Sequence, residues 1–197
     1  SPAWDGVTDG DLVRAQWLLD NQPGQVRITS SGSAADATQP GQTSPASSTA
    51  AAFDAKPSTA WVSSGLESAA GKWMRLTFTR PRAALSLTLT TARAIGPDVD
   101  TIVVTTNNGS SVAQGISPGK PFTVTLPGGN TSWIEIRASH TTTGRAGNQF
   151  ALGEVALTDL TTGTPLAIRQ RVILPAMPPD SDVARWVLTQ ELTGRPS

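Results

Sequence analysis

The residues best suited to chemistry lie in the segment AAFDAKPSTAWVSS, residues 51–64. Asp54 offers a carboxylate, and Thr59 offers a hydroxyl and a carbonyl, so a turn between them can direct several hard oxygens inward. Calcium takes about six to eight oxygen ligands and accepts main-chain carbonyls readily. The segment therefore predicts either a calcium-binding loop or an Asp-capped turn. In both cases we expect the large apolar ring of Trp61 to be buried and to anchor the loop.

A second set of polar side chains lies in the segment SHTTTGRAGNQF, residues 139–150, and in the segment ARAIGPDVD, residues 92–100. Sugars are bound by planar polar groups that pair with hydroxyls and by an apolar face that packs on the ring. The two loops predict a carbohydrate site at one end of the fold; the alternative is a solvated polar loop. The predicted contacts are Arg93, Asp98, His140, Arg145 and Asn148.

The sequence holds no recognisable catalytic motif. Cysteine is absent, and His140 is the only histidine, which removes thiolate chemistry and His-pair metal sites. No glycine-rich phosphate loop occurs. The acidic residues are scattered, and the closest pair in a predicted loop, Asp98 and Asp100, is typical of a solvated turn. We therefore expect a protein that is not an enzyme in this part of its chain.

Composition excludes two further classes of partner. Lys plus Arg and Asp plus Glu each number 15, so the chain has no basic footprint for nucleic acid. No apolar run approaches the roughly 18–20 residues needed to span a bilayer, so we expect no direct membrane insertion of this fragment. Because no signal-peptide pattern occurs in the sequence, we expect it to be a mature chain or an excised fragment.

Alternating apolar and polar residues predict the fold class. Leu85, Leu87 and Leu89 alternate with Ser and Thr, and residues 122–126 and 134–138 repeat the pattern. Strict alternation over short segments is typical of antiparallel strands with one buried face. We therefore predict an all-β protein, an antiparallel β-sandwich or jelly roll, over residues 25–174. The segment TNNGS at 106–110 predicts a type I′ hairpin turn.

Short flanking helices complete the prediction. Residues 1–24 are expected to form an N-terminal extension whose helix runs over 9–21 and ends at QPG, residues 22–24. Residues 175–197 are expected to form a Pro-rich linker followed by a helix over 183–192. The predicted domains are therefore 1–24, 25–174 and 175–197.

The segment AFDAKPSTAW resembles a motif of the discoidin, or coagulation-factor type C, superfamily, which includes the family 32 carbohydrate-binding modules. That motif is A-x-D-G-D/N-x-x-T-x-W, and Asp54, Thr59 and Trp61 match it. KWMRLTF at 72–78 and the later FALGEV at 150–155 also resemble the superfamily, over roughly residues 25–160. Two positions depart from the motif: Ala55 replaces the usual glycine, and Lys56 replaces an acidic residue or Asn.

The resemblance implies a structural Ca²⁺ ion. Its side-chain ligands would be Asp54, Thr59 and Glu154, and its carbonyl ligands would come from Ala51, Lys56 and Gly153. The His-x-x-Trp motif of many galactose-binding family 32 modules is not visible, so a galactose pocket of that kind is not implied.

Residues 51–73 and the tail WVLTQELTGRPS also resemble the extracytoplasmic part of large actinobacterial membrane arabinofuranosyltransferases of the D type. This resemblance implies a non-catalytic module on the periplasmic side of the membrane that holds cell-wall glycan, such as arabinan. The expected partners are that glycan and the neighbouring domains of the parent membrane protein. The alternative is a structural module that packs against its own enzyme or a partner and binds no sugar.

Overall fold

The computed structural model describes residues 14–35, 45–143 and 148–174. Contacts between residues divide the chain into one unit, Ala15–Arg171, and a second that combines Ser1–Arg14 with Val172–Ser197. Nearly all described residues belong to the first unit. The strands of the described residues are β1 (Arg14–Leu19), β2 (Gln22–Pro23), β3 (Val26–Ser30), β4 (Trp61–Val62), β5 (Trp73–Arg82), β6 (Leu85–Thr91), β7 (Val99–Thr106), β8 (Gly109–Gln114), β9 (Phe122–Thr125), β10 (Thr131–Thr141), β11 (Ala151–Asp159), β12 (Thr164–Leu166) and β13 (Ile168–Ile173). Two 3₁₀ turns, Pro45–Ser47 and Thr49–Ala52, precede β4.

Two antiparallel sheets form the sandwich. One has the order β3-β5-β10-β7-β8, and the other has the order β12-β11-β6-β9, with β4 pairing the start of β11. A small third sheet has the order β13-β1-β2. The predicted all-β antiparallel sandwich is confirmed. Within the described residues, no helix is long and apolar enough to cross a bilayer.

The core lies between the two large sheets and follows the alternation in the sequence. On β6, Leu85, Leu87 and Leu89 are buried while the Ser and Thr residues between them are half-exposed. Trp61 is fully buried, as predicted, and its ring meets Phe150 edge-on with centroids 5.5 Å apart. Trp61 therefore holds the segment that leads out of the 51–60 loop firmly in the core.

The predicted helix over 9–21 is wrong where the structure describes it, because residues 14–19 form β1. Asp20 and Asn21 adopt positive φ angles of 50° and 64°, and Leu19 pairs with Gln22 across them. Two consecutive positive φ angles define a type I′ hairpin turn, which Asn and Asp tolerate. Strand pairing with β2 and β13 thus overrides the local helical pattern. The helix predicted over 183–192 lies outside the described residues.

The hairpin predicted at 106–110 is confirmed, but its turn type is different. Thr106 pairs with Gly109 across the two-residue loop Asn107-Asn108. The positive φ falls on Gly109, at 136°, and not on the two asparagines. Both asparagine side chains donate to the carbonyl of Asn130 at 2.9 Å, so they tie this turn to the next loop.

Candidate functional site

The Asp54 loop is a closed hydrogen-bonded turn. Asp54 Oδ1 accepts from the Lys56 N–H at 3.0 Å, and the Thr59 hydroxyl lies 2.9 and 2.8 Å from the two Asp54 oxygens. The Thr59 hydroxyl also lies 3.1 Å from the Lys56 carbonyl oxygen, which accepts the Thr59 N–H at 3.2 Å. Asp54 therefore caps the turn, as one of the two sequence interpretations expected.

Glu154 faces this turn from strand β11. Burial raises the pKa of the Glu154 carboxyl, the nearby Asp54 charge raises it further, and a hydrogen bond from the Ala55 N–H opposes both effects. Ala55 has a φ of 55°, in the left-handed region, where the family motif usually has glycine. The structure thus brings Asp54 and Glu154 close enough for like-charge repulsion to act between them.

The predicted calcium ligands fit a calcium ion in the type of their donor atoms. Asp54, Thr59 and the Lys56 carbonyl share one loop, and the Glu154 carboxyl adjoins it. In the described part of the chain, no group of three or more His, Cys, Asp or Glu residues converges. A cation here would therefore depend on two carboxylates, the Thr59 hydroxyl and main-chain carbonyls, with Ala51 and Gly153 as the remaining candidates. Such oxygen-only sets suit Ca²⁺.

The two loops predicted to bind sugar do lie side by side. The Thr142 N–H donates to the Asp98 carbonyl at 2.9 Å, and the Gln149 N–H donates to the Ile95 carbonyl at 2.9 Å. His140 is exposed at the end of β10, with Nδ1 2.9 Å from the Ser139 hydroxyl. Arg145 lies outside the described residues.

Asn148 is a correction to the predicted sugar contacts. Its side chain is buried, with 1% exposure. Its Oδ1 accepts the Ala69 N–H at 2.9 Å, and its Nδ2 lies 3.4 Å from the Pro97 carbonyl. A surface ligand cannot reach an amide in this position, so Asn148 holds loops together instead.

Among the predicted sugar contacts that the structure describes, Arg93 alone borders a groove of about 720 Å³. We call it the Arg93 groove. Its lining combines residues from both predicted sets with two prolines, Pro118 and Pro121, that lie outside the predicted segments. The main contributors are Lys56, Pro57, Arg93, Pro118, Pro121, Gly153 and Glu154. Asp98, His140 and Asn148 do not line it.

A β-bulge opens the floor of the Arg93 groove. On β11, Leu152 pairs with Thr91 and Glu154 pairs with Thr90, so Gly153 is the extra residue between them. A bulge re-aims neighbouring side chains, and Gly153 and Glu154 both line the groove. In the sequence, Gly153 interrupts a strand pattern. A glycine inside a strand indicates a bulge or a place where a ligand or another backbone segment approaches closely.

No protein-family model matches the chain. It is 42% identical over 174 residues to an alpha-(1->3)-arabinofuranosyltransferase of Mycobacterium tuberculosis, which is 86% of this chain and 12% of that protein. It is 38% identical over 197 residues to the enzyme of the same name from Mycolicibacterium smegmatis, which is 98% of this chain and 14% of that protein.

Solved structures agree with these matches. The cryo-EM structure of arabinofuranosyltransferase AftD from mycobacteria matches 85% of this chain and 13% of its own, with 35% identity and a TM-score of 0.77. A family 32 carbohydrate-binding module of Clostridium perfringens NanJ, solved with galactose, has 17% identity and a TM-score of 0.45, too low to transfer its galactose contacts. The chain spans 12–14% of the length of the curated relatives. It is therefore a homologue of one segment of the mycobacterial arabinofuranosyltransferases, and it folds as an antiparallel β-sandwich.

Proposed function

We propose that this chain is a non-catalytic carbohydrate-binding module of an arabinofuranosyltransferase and holds cell-wall arabinan on the extracytoplasmic side of the membrane. The observation that carries this proposal is the Arg93 groove, which combines apolar walls with polar groups at its rim and floor. The names of the 42% and 38% identical relatives support the choice of an arabinan ligand.

The groove offers both parts of a sugar site. The pyrrolidine rings of Pro57, Pro118 and Pro121 present C–H surface on which a sugar ring can pack. Arg93 presents a planar fork of donors for paired hydroxyls, and Glu154 presents acceptors. Because the groove is open and lacks a stacking aromatic among its lining residues, we expect weak binding, with a Kd on the order of 10⁻⁴–10⁻³ M.

The proposed role of calcium is to fix one wall of this groove. Ca²⁺ held by the side chains of Asp54, Thr59 and Glu154 and by the carbonyls of Ala51, Lys56 and Gly153 would supply positive charge between two neighbouring carboxylates. Lys56 and Pro57 belong to the same loop and line the groove. Free Ca²⁺ at about a hundred times the Kd of the site would raise the free energy of unfolding by about 2.7 kcal/mol.

A thermal-unfolding experiment tests the calcium proposal. Millimolar Ca²⁺ should raise the melting temperature relative to EDTA, and Asp54→Asn should remove that rise. Asp98→Asn changes a carboxylate outside the loop and serves as the matched control. Identical melting of the wild-type protein in Ca²⁺ and in EDTA would leave Asp54 with its turn-capping role alone.

The second candidate is an interaction module that packs against its own enzyme and binds no sugar. It is favoured by an apolar pair on the outer face of the other large sheet: Val112, 61% exposed on the edge strand β8, lies beside Val103 of β7. Half-buried Trp73 and Trp133 face outward from β5 and β10 of the same sheet. A neighbouring domain of the parent protein would be the partner.

An NMR titration distinguishes the two candidates. Arabinan fragments at millimolar concentration should shift resonances of the Arg93 groove, and Arg93→Ala should weaken binding about three- to tenfold, the worth of one or two net hydrogen bonds. Arg80→Ala removes an exposed arginine that does not line the groove and should leave binding unchanged. No shifts with arabinan, galactan or mannan fragments would favour the interaction module.

A further inference from the structure

We infer that the ligand crosses from the Arg93 groove into a second groove, so that the module binds an internal stretch of a glycan chain and not only its terminal residue. This inference rests on the proposed function and adds the class of ligand to it. It follows from the way the two grooves share one wall.

The second groove has a volume of about 570 Å³ and lies on the other side of the Asp54 loop. We call it the Ala156 groove. It is lined by Phe53 and Asp54 from the loop, by Ala156 of β11, and by Pro165 and Arg169 from β12 and β13. Like the Arg93 groove, it therefore combines apolar surface with an arginine.

Ala55 and Glu154 line both grooves. The Ala55 N–H donates to the Glu154 carboxyl, so this pair forms the boundary between the two spaces. A ligand long enough to fill one groove and continue past this pair enters the other. Both volumes lie within the roughly 300–1,000 Å³ typical of ligand pockets, so each groove has room for part of a chain.

Strand β11 carries the floor of both grooves. Gly153 lines the Arg93 groove and Ala156 lines the Ala156 groove, three residues further along the same strand, or roughly 10 Å at 3.3 Å per residue. Neither residue has a side chain larger than a methyl group. The strand therefore presents a shallow path on both sides of Glu154.

The charges follow the same path. Lys56 and Arg93 lie on the Arg93 groove, Arg169 lies on the Ala156 groove, and the carboxylate of Glu154 lies at the boundary. Donors at both ends and acceptors in the middle suit a neutral, hydroxyl-rich chain, which offers both kinds of hydrogen-bonding group along its length. A single terminal sugar would use only one part of this arrangement.

Two substitutions add bulk to the two grooves separately. A Cβ added at Gly153 would lie 3.6 Å from the Ala92 Cβ and 3.6 Å from the Thr90 carbonyl oxygen, which are ordinary contacts, so Gly153→Ala adds a methyl group at the floor of the Arg93 groove without a clash. Ala156 is exposed, so Ala156→Phe fills the second groove from the strand surface. Thr77→Phe adds the same ring to an exposed position on the outer face of the other sheet and is the matched control.

The test compares an arabinofuranosyl disaccharide with a hexasaccharide by NMR titration of the full chain. The hexasaccharide should bind the wild-type protein about tenfold more tightly, because the second groove adds contacts to a ligand that is already held. Ala156→Phe should reduce hexasaccharide binding to the disaccharide level and leave the disaccharide unchanged. Gly153→Ala should weaken both ligands, and Thr77→Phe should weaken neither.

Two results would overturn the extended site and leave the proposed function intact. The first is equal dissociation constants of the two ligands for the wild-type protein. The second is an unchanged dissociation constant of the hexasaccharide for the Ala156→Phe variant. If neither ligand binds the wild-type protein, the proposed function fails and the extended site fails with it.

Discussion

Asn148 and Ala69 are joined by a buried hydrogen bond of 2.9 Å across 79 residues of sequence. The side-chain oxygen of Asn148 accepts this bond from a main-chain N–H that lies outside the sheets. Asn148 is almost inaccessible to solvent. A buried N–H without a partner is costly. Asn148 therefore connects the loop before β5 to the loop before β11.

Removing this side chain should destabilise the fold. Asn148→Ala leaves the Ala69 N–H without its acceptor, and we expect a loss of about 1–3 kcal/mol in the free energy of unfolding, measured with urea. His140→Ala, at an exposed position in the same loop region, should change stability by less than about 0.5 kcal/mol. Normal stability of Asn148→Ala combined with lost glycan binding would restore Asn148 as a sugar contact.

Ala55 holds a backbone conformation that suits glycine better. A left-handed φ costs a non-glycine residue about 1–2 kcal/mol, whereas glycine loses about 0.5–1 kcal/mol more backbone entropy on folding. Ala55→Gly should therefore raise the free energy of unfolding by about 0.5–1 kcal/mol in urea titrations. Ala83→Gly, at an exposed position without a positive φ, should lower it instead. Destabilisation of both variants would mean that the Ala55 methyl group makes contacts that outweigh the strain.

The raised pKa of Glu154 predicts a pH-dependent stability. The folded state favours the protonated form of the Glu154 carboxyl. The contribution of this carboxyl to the free energy of unfolding is therefore fully present below its ordinary pKa of 4.5, and it is lost as the pH rises through the raised pKa. In EDTA, Glu154→Gln should therefore melt at a higher temperature than the wild-type protein at pH 7, and the difference should shrink towards pH 4.5.

Asp159 supplies a control of opposite sign for this experiment. Hydrogen bonds from Thr161 lower the pKa of its carboxyl, so its contribution to stability is present above 3.8 and is lost as the pH falls through the lowered value. Asp159→Asn should therefore lower the melting temperature at pH 7 and not raise it. If Glu154→Gln also lowers the melting temperature in EDTA, the hydrogen bond from Ala55 outweighs the cost of burying the charge.

Two buried threonines at strand ends should respond oppositely to the same substitution. Thr91 and Thr106 are each 3% exposed. The Thr91 hydroxyl has no hydrogen-bond partner among the described residues, whereas Thr106 accepts the Asn108 N–H at 3.0 Å. Thr91→Val should leave the free energy of unfolding unchanged or higher, and Thr106→Val should lower it by about 0.5–1.5 kcal/mol, the net worth of one hydrogen bond. Equal losses in urea titrations would indicate that the Thr91 hydroxyl is satisfied in solution.

Local patterns in the sequence were sufficient to predict most strands of the sandwich, although not β4 and β8. The alternation of Leu85, Leu87 and Leu89 with hydroxyl residues predicted which face of β6 is buried, because side chains on a strand point alternately to its two faces. The short segment 51–64 was likewise sufficient to predict that Trp61 is buried and that Asp54 lies close to Thr59. These features depend on residues within about ten positions of each other.

Long-range pairing decided the rest. Residues 14–19 form a strand because β2 and β13 satisfy their main-chain groups, although their local pattern suits a helix. Asn148 is buried because its loop meets Ala69 and Pro97, which no local signal reveals. The Arg93 groove is assembled from four segments, 55–57, 90–93, 118–121 and 153–154, that meet only when both strand pairing and the bulge at Gly153 are in place. The residue types at such a site are visible in the sequence, but the spacing between segments carries no information about which of them face the same space.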